Sequence, residues 1–226
     1  MTPIMLFAAG LGTRMGDLVK DRPKPLVNVA GRPLIDHALD LIADQPLKTP
    51  VVNLHYKADM LRQHLSHRAV IFSDETDLLR DTGGGLRHAL PLLGSDPVMT
   101  LNTDAIWSGP NPIAHLLAQW CDDMDGLLLM VPPSQVIGHK GAGDFDINAD
   151  GKLYRAPGHI YTGLQIIRTE GLRDIEEDVF SLNVLWDHMI AKGTLFGTTY
   201  TGKWCDVGQP DSIPLAEALI AETSHV

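Results

Sequence analysis

Wholly apolar runs alternate with helical stripes along most of this chain. Ile4 to Ala8 is apolar throughout and stops at glycines, the pattern of a buried strand. Pro33 to Ala43 carries Leu34, Ala38, Leu41 and Ile42 on one helical face, with Pro33 near the start. The pattern next predicts a strand over Val51–Leu54, a helix over Ala58–Leu65 and a strand over Val70–Ser73. A short helix over Gly85–Leu92 and a buried strand over Val98–Leu101 follow. A helix over Ile113–Cys121 and a strand over Leu127–Val131 continue the alternation. Such strand–helix repetition implies an α/β, Rossmann-like, mostly parallel sheet with helices on both faces.

The character changes over Pro132–Gly163, which is rich in Gly and Pro. Short strands at Asp144–Asn148 and Lys152–Tyr154 flank the turn Asn148-Ala149-Asp150-Gly151, which suggests a small β-rich insertion. Tyr161–Ile167 reads as a strand and Val179–Ala191 as a helix closed by Gly193. Leu195–Tyr200 and Lys203–Val207 read as strands separated by Thr201-Gly202, and Asp211 caps a last helix running to about Glu222. There is no repeat and no clear linker, so one domain over 1–226 is expected, with about 132–163 as a β-rich subregion.

Charge narrows the partners. With 18 basic against 28 acidic residues the net charge is -10, which argues against nucleic acid and membrane surfaces as partners. It leaves room for a polyanionic substrate held by a few basic residues and a divalent cation. The two cysteines, Cys121 and Cys205, form no metal-ligand spacing, and a reduced, cytoplasmic protein is the expectation. The apolar start lacks a basic n-region and its run stops at Gly10, so no signal peptide is expected. His55, His64 and His67 read as surface residues rather than metal ligands.

Chemistry concentrates where strands end. Ala8-Ala9-Gly10-Leu11-Gly12-Thr13-Arg14-Met15 follows the first strand directly, and glycines there let successive N–H groups approach a phosphate chain. A Walker A motif is absent, and Met15 stands where a dinucleotide fingerprint needs its third glycine. Arg22-Pro23-Lys24-Pro25-Leu26 sets a lysine between two prolines, on a stiffened segment. Asp104 closes the apolar strand Val98–Leu101, where ligands of open α/β sheets bind. Asp206 lies late in another strand, and magnesium commonly takes one or two carboxylates plus substrate phosphates. Thr82-Gly83-Gly84-Gly85 offers exposed peptide groups against which a base can lie.

The loop, the Pro23-Lys24-Pro25-Leu26 segment, Asn102-Thr103-Asp104 and Trp204-Cys205-Asp206-Val207-Gly208 together resemble the sugar-1-phosphate nucleotidyltransferases. The resemblance implies a triphosphate wrapped by Ala9, Gly10, Gly12 and Thr13, with Arg14 and Lys24 as catalytic cations and Mg2+ on Asp104 and Asp206. It implies base contacts at Thr82 and Gly83, and nucleoside triphosphate and sugar-1-phosphate as substrates. Thr103 stands in place of the usual glycine, and Arg155-Ala156-Pro157-Gly158 in place of a Glu-Lys-Pro segment. The Gly141-Ala142-Gly143-Asp144-Phe145 stretch is similar to that of the bacterial N-acetylmuramate-1-phosphate uridylyltransferases of peptidoglycan recycling. That likeness implies a sugar-binding insertion with contacts at Asp144 and Gly163. A mannose- or glucose-1-phosphate nucleotidyltransferase and a non-catalytic nucleotide-sugar sensor stay open at this point, as does the oligomeric state.

Overall fold

Ile4, Met5 and Leu6 are inaccessible to solvent, as a run that is apolar on both faces requires. They form β1 (Ile4–Phe7) near the middle of a seven-stranded sheet, in a computed structural model that describes residues 1–223. The chain continues through the hairpin β2 (Asn28–Val29) and β3 (Arg32–Pro33), then α1 (Leu34–Ile42), β4 (Val51–Leu54), α2 (Ala58–His64) and β5 (Ile71–Asp74). Next come α3 (Asp81–Leu93), β6 (Val98–Asn102), β7 (Ala105–Ser108), α4 (Pro112–Gln119), β8 (Gly126–Val131) and β9 (Val136–Ile137). The remainder is β10 (Phe145–Ile147), β11 (Leu153–Arg155), β12 (Ile160–Ile167), α5 (Leu182–Lys192), β13 (Leu195–Thr199), β14 (Lys203–Asp206) and α6 (Ser212–Thr223).

The large sheet has the order β13-β8-β12-β6-β1-β4-β5. Its pairs are parallel except around β12, which runs against both β6 and β8. The expected α/β architecture is therefore present, with one reversed strand. Alternation along the strands serves both faces. Ile4, Leu6, Val52 and Leu101 pack in one core with α1, α2 and α4. Met5, Val51 and Val98 pack in the other with Leu86, Leu185 and Met189 of α3 and α5. Each such side chain contributes about 1.5–3 kcal/mol when fully buried.

A second sheet, β7-β14-β9, was not visible in the pattern as a unit. The strands separated by Thr201-Gly202 part company: β13 joins the edge of the large sheet, whereas β14 pairs with β7. A third core cluster, with Met15, Val29, Cys205, Val207 and Leu219, ties this sheet to α6 and to the glycine-rich loop. Met15, with no exposed surface, is thus an apolar anchor at the position of the missing third glycine.

The β-rich insertion forms the antiparallel hairpin β10–β11, closed by Gly151 N–H donating to the Asn148 carbonyl at 3.0 Å. The helix expected from Gly85 begins earlier, at Asp81. Glycine is a weak helix former, but tertiary packing overrides propensity here. A Cβ on Gly83 would collide with the Phe180 ring, and one on Gly84 with the Asp178 carbonyl. Among the described residues, no helix is long and apolar enough to cross a membrane.

Candidate active site

The loop after β1 is held from behind. Asn53 in β4 accepts from the Ala8 and Ala9 N–H groups through Oδ1, at 2.6 and 3.2 Å. Its Nδ2 donates to Glu75 Oε1 at 2.8 Å. Gly12 then takes a left-handed conformation, φ 64°, and lies against Lys24: a Cβ there would sit 2.8 Å from the Lys24 Cβ. Gly12→Ala thus combines backbone strain with a push on Lys24. It is expected to cost about 1 kcal/mol of stability or more and at least about tenfold in turnover. Urea unfolding beside steady-state rates checks both.

Lys24 opens a short 3-10 turn after Pro23, which is extended at φ -71° and ψ 152°. The turn aims the ammonium at Asp104: Nζ lies 2.6 Å from Oδ2, with the lysine side chain only 11% exposed. Asp104 itself sits between β6 and β7, where the neighbouring Thr103 hydroxyl donates to the Phe7 carbonyl at 2.8 Å. A side-chain hydroxyl thus fastens the β6 exit to β1 at the position where the resemblance has glycine.

Register brings in the second acid. β14 pairs with β7 so that Asp206 faces Ala105, and Val207 N–H donates to the Asp104 carbonyl at 2.8 Å. The Asp206 carboxyl lies above the usual carboxylate range, first because it is buried and second because Asp104 is a like charge nearby. His139 Nδ1, 3.2 Å from Asp206 Oδ2, and the Lys24 charge act the other way. Two carboxylates close enough to repel, with substrate phosphates supplying the remaining oxygens, would make a donor set of the kind Mg2+ takes. Among the described residues there is no group of three or more His, Cys, Asp or Glu arranged to hold a metal by themselves.

Cys205, beside Asp206, is wholly buried, and burial above all pushes its thiol up to about 12. Cys121 is exposed. A thiol reagent at pH 8 is therefore expected to modify one cysteine in the native protein, Cys121, and both after denaturation.

A cavity of about 460 Å3 opens beyond these strand ends. Ala9, Gly10, Lys24, Thr82 and Asp104 line it, together with Asn53, Glu75, Leu79, Asp81, Asn102 and Val179. Thr13 and Arg14 are exposed on the loop, and Arg14 and Asp206 both border the space beside Gly208. Gly163 backs onto the Asn102 side chain.

Two expected ligand contacts are placed differently. Gly83 is buried, faces Phe180 rather than the cavity and donates its N–H to the Phe180 carbonyl at 2.9 Å. The amide meant to read a base is committed to packing α3. Asp144 is exposed, does not line the cavity and accepts from Tyr161 N–H at 2.9 Å, which anchors the insertion to β12. His55 and His64 bond to the Glu75 carbonyl and the Asp36 carboxylate, at 2.6 and 3.0 Å.

Asn53, Glu75 and His139 did not stand out in the sequence. The available signal for Asn53 was a polar residue inside the otherwise apolar Val51–Leu54 strand.

An open α/β sheet with a glycine-rich loop at the end of its first strand defines a nucleotide-handling fold. Residues 4–143 match the MobA-like NTP transferase domain, and the chain belongs to that family of nucleotidyltransferases. It is 39% identical to the N-acetylmuramate alpha-1-phosphate uridylyltransferase of Caulobacter vibrioides, over 96% of each chain. A protein of that description from Neisseria meningitidis serogroup B is 29% identical over 95% of this chain and 96% of its own. The mannose-1-phosphate guanylyltransferase catalytic subunit beta of Drosophila melanogaster is 27% identical, over 92% of this chain and 60% of its own. Among solved structures, HddC from Yersinia pseudotuberculosis complexed with GMP-PN shares the fold at TM-score 0.77 and 22% identity, covering 97% of this chain and 100% of that one. A glucose-1-phosphate thymidylyltransferase (so described provisionally) from Bacillus anthracis does so at TM-score 0.80 and 17% identity, covering 97% and 95%.

Proposed function

We propose that this nucleotidyltransferase transfers UMP from UTP to N-acetylmuramate 1-phosphate and releases pyrophosphate. The class of reaction follows from the family. The substrate pair is supported by the two full-length relatives described as uridylyltransferases of that sugar phosphate. A place in peptidoglycan recycling follows from that substrate.

The observation that carries the chemistry is the convergence of Lys24 on its 3-10 turn, Asp104 just after β6 and Asp206 at the end of β14. In the reaction, an oxygen of the sugar phosphate attacks the α-phosphorus of UTP as the bond to the bridging oxygen breaks. That nucleophile is already an anion at neutral pH, so no general base is needed. What the chain must supply is alignment and charge neutralisation. Ala9 and Gly10 bring backbone to the phosphates along the cavity wall, and Gly12 shapes the floor on which Lys24 stands. Lys24 places a fixed positive charge beside the phosphate under attack. Asp104 and Asp206 would hold Mg2+, which supplies Lewis-acid neutralisation of phosphate charge when bound. Arg14, on the exposed flank of the loop near Asp206, meets the leaving pyrophosphate.

The test is a ranking of kcat/KM over UTP, GTP and dTTP, each with N-acetylmuramate 1-phosphate, N-acetylglucosamine 1-phosphate and mannose 1-phosphate. UTP with N-acetylmuramate 1-phosphate is expected to lead by at least about tenfold, a difference of about 1.4 kcal/mol in transition-state binding. A lead by GTP with mannose 1-phosphate would transfer the mechanism to another substrate and sink this assignment.

A further inference from the structure

Asn53 is 3% exposed and Glu75 is wholly buried, yet neither is engaged in the reaction described above. An uncompensated amide or carboxylate in such a place is costly, and this pair is compensated in one particular sense. A side-chain amide has two orientations, one presenting its oxygen to the loop and one its NH2 group. Only the first can accept from Ala8 and Ala9 N–H, at the observed 2.6 and 3.2 Å. Glu75 decides between them, because its Oε1 accepts from the Asn53 Nδ2 donor at 2.8 Å, where the reversed amide would set one oxygen against another. Glu75 is fixed in turn: its backbone N–H donates to the Leu54 carbonyl at 2.8 Å. On its other side α3 approaches so closely that a Cβ on Gly85 would sit 2.9 Å from Oε1. Both residues also line the cavity wall that continues into Ala9 and Gly10.

We infer that Glu75 is a positioning residue: by setting the orientation of Asn53 it holds the Ala8–Gly10 backbone in the path that grips the triphosphate. The polarity of one buried hydrogen bond thus governs nucleotide affinity. This inference rests on the loop being the triphosphate site.

The test reverses that polarity. Asn53→Asp puts two acceptors face to face and is expected to weaken UTP binding, read by calorimetric titration with Mg2+ present, by about tenfold or more. Glu75→Gln alone keeps an acceptor for Asn53 but turns an N–H group toward the Arg80 N–H, which now sits 3.4 Å from Oε2. An effect of about threefold is expected. The double variant, Asn53→Asp with Glu75→Gln, restores the bond in reverse. The introduced amide then donates to the introduced carboxylate, and UTP affinity is expected to return to within about threefold of the wild type. KM for the sugar phosphate stays within about twofold throughout, which a general loss of structure would not allow.

Gly85→Ala supplies an independent arm should Asn53→Asp not fold. Alanine favours the helix while displacing the Glu75 carboxylate, so UTP binding falls by about threefold or more while KM for the sugar phosphate stays within about twofold. Wild-type affinity in both Asn53→Asp and Gly85→Ala overturns the inference, as does a double variant no better than Asn53→Asp. The cycle is read on whichever triphosphate the wild type binds. A wrong base in the proposed function therefore leaves this test intact.

Discussion

Asp206→Asn is expected to lose about 10²–10³-fold in turnover while unfolding at a temperature no lower than the wild type. Both halves come from one feature. Burial and the Asp104 charge hold the Asp206 carboxyl above its ordinary range, so at neutral pH its ionised form costs the folded chain stability. The amide removes that cost and still accepts from His139. The stability gain is present at neutral pH and fades as pH falls through the raised value, where the wild-type carboxyl takes up its proton too. Steady-state rates beside thermal unfolding at pH 7 and pH 4.5 check the pair of effects. A variant that is both active and unstable contradicts them.

Lys24→Ala is expected to lose a similar factor in turnover, about 10²–10³, but with the opposite effect on stability. Lys24 is the partly buried counter-ion of Asp104, 2.6 Å away. Removing it leaves two partly buried carboxylates facing each other with their shared cation gone. The loss of that charge-assisted bond is expected to cost about 1–3 kcal/mol, measured by urea unfolding. Arginine is a poor replacement, because its planar fork does not reproduce a compact ammonium between two prolines. Added Mg2+ is expected to recover part of the stability of Lys24→Ala, since a cation on the two carboxylates relieves their repulsion. It is not expected to recover turnover, because the charge beside the attacked phosphate stays missing. Activity within tenfold of the wild type in Lys24→Ala would remove the lysine from the reaction.

How much of this was legible in the chain depended on the range of the forces involved. β1, β4, β6 and β8 could be read because a strand covered on both faces is mostly apolar, a local signal. The glycine-rich loop and Lys24 could be read because phosphate chemistry demands particular residues close together in sequence. The start of α3 could not. Its three glycines oppose a helix locally, and only the arrival of Phe180 and Asp178, about a hundred residues on, makes them necessary. The small sheet β7-β14-β9 was hidden for a related reason. β7 starts directly after Asp104, and its strand partner β14 lies far away in sequence. Asn53 and Glu75 carry no motif at all; their meaning lies in a bond that joins β4 to the residue following β5. Gly83 shows the converse: its place in a motif suggested a ligand contact, and packing against Phe180 gives it a structural task instead.

The measurement that bears most directly on the two-carboxylate site is pyrophosphate release from UTP and N-acetylmuramate 1-phosphate, before and after divalent cations are stripped with a chelator. It is made on the wild type and on Asp104→Asn. The expected result is a rate that vanishes with the chelator and returns with Mg2+ in the wild type, and that Mg2+ does not restore in Asp104→Asn. An undiminished rate in the chelator, or full Mg2+-dependent turnover in Asp104→Asn, would contradict it.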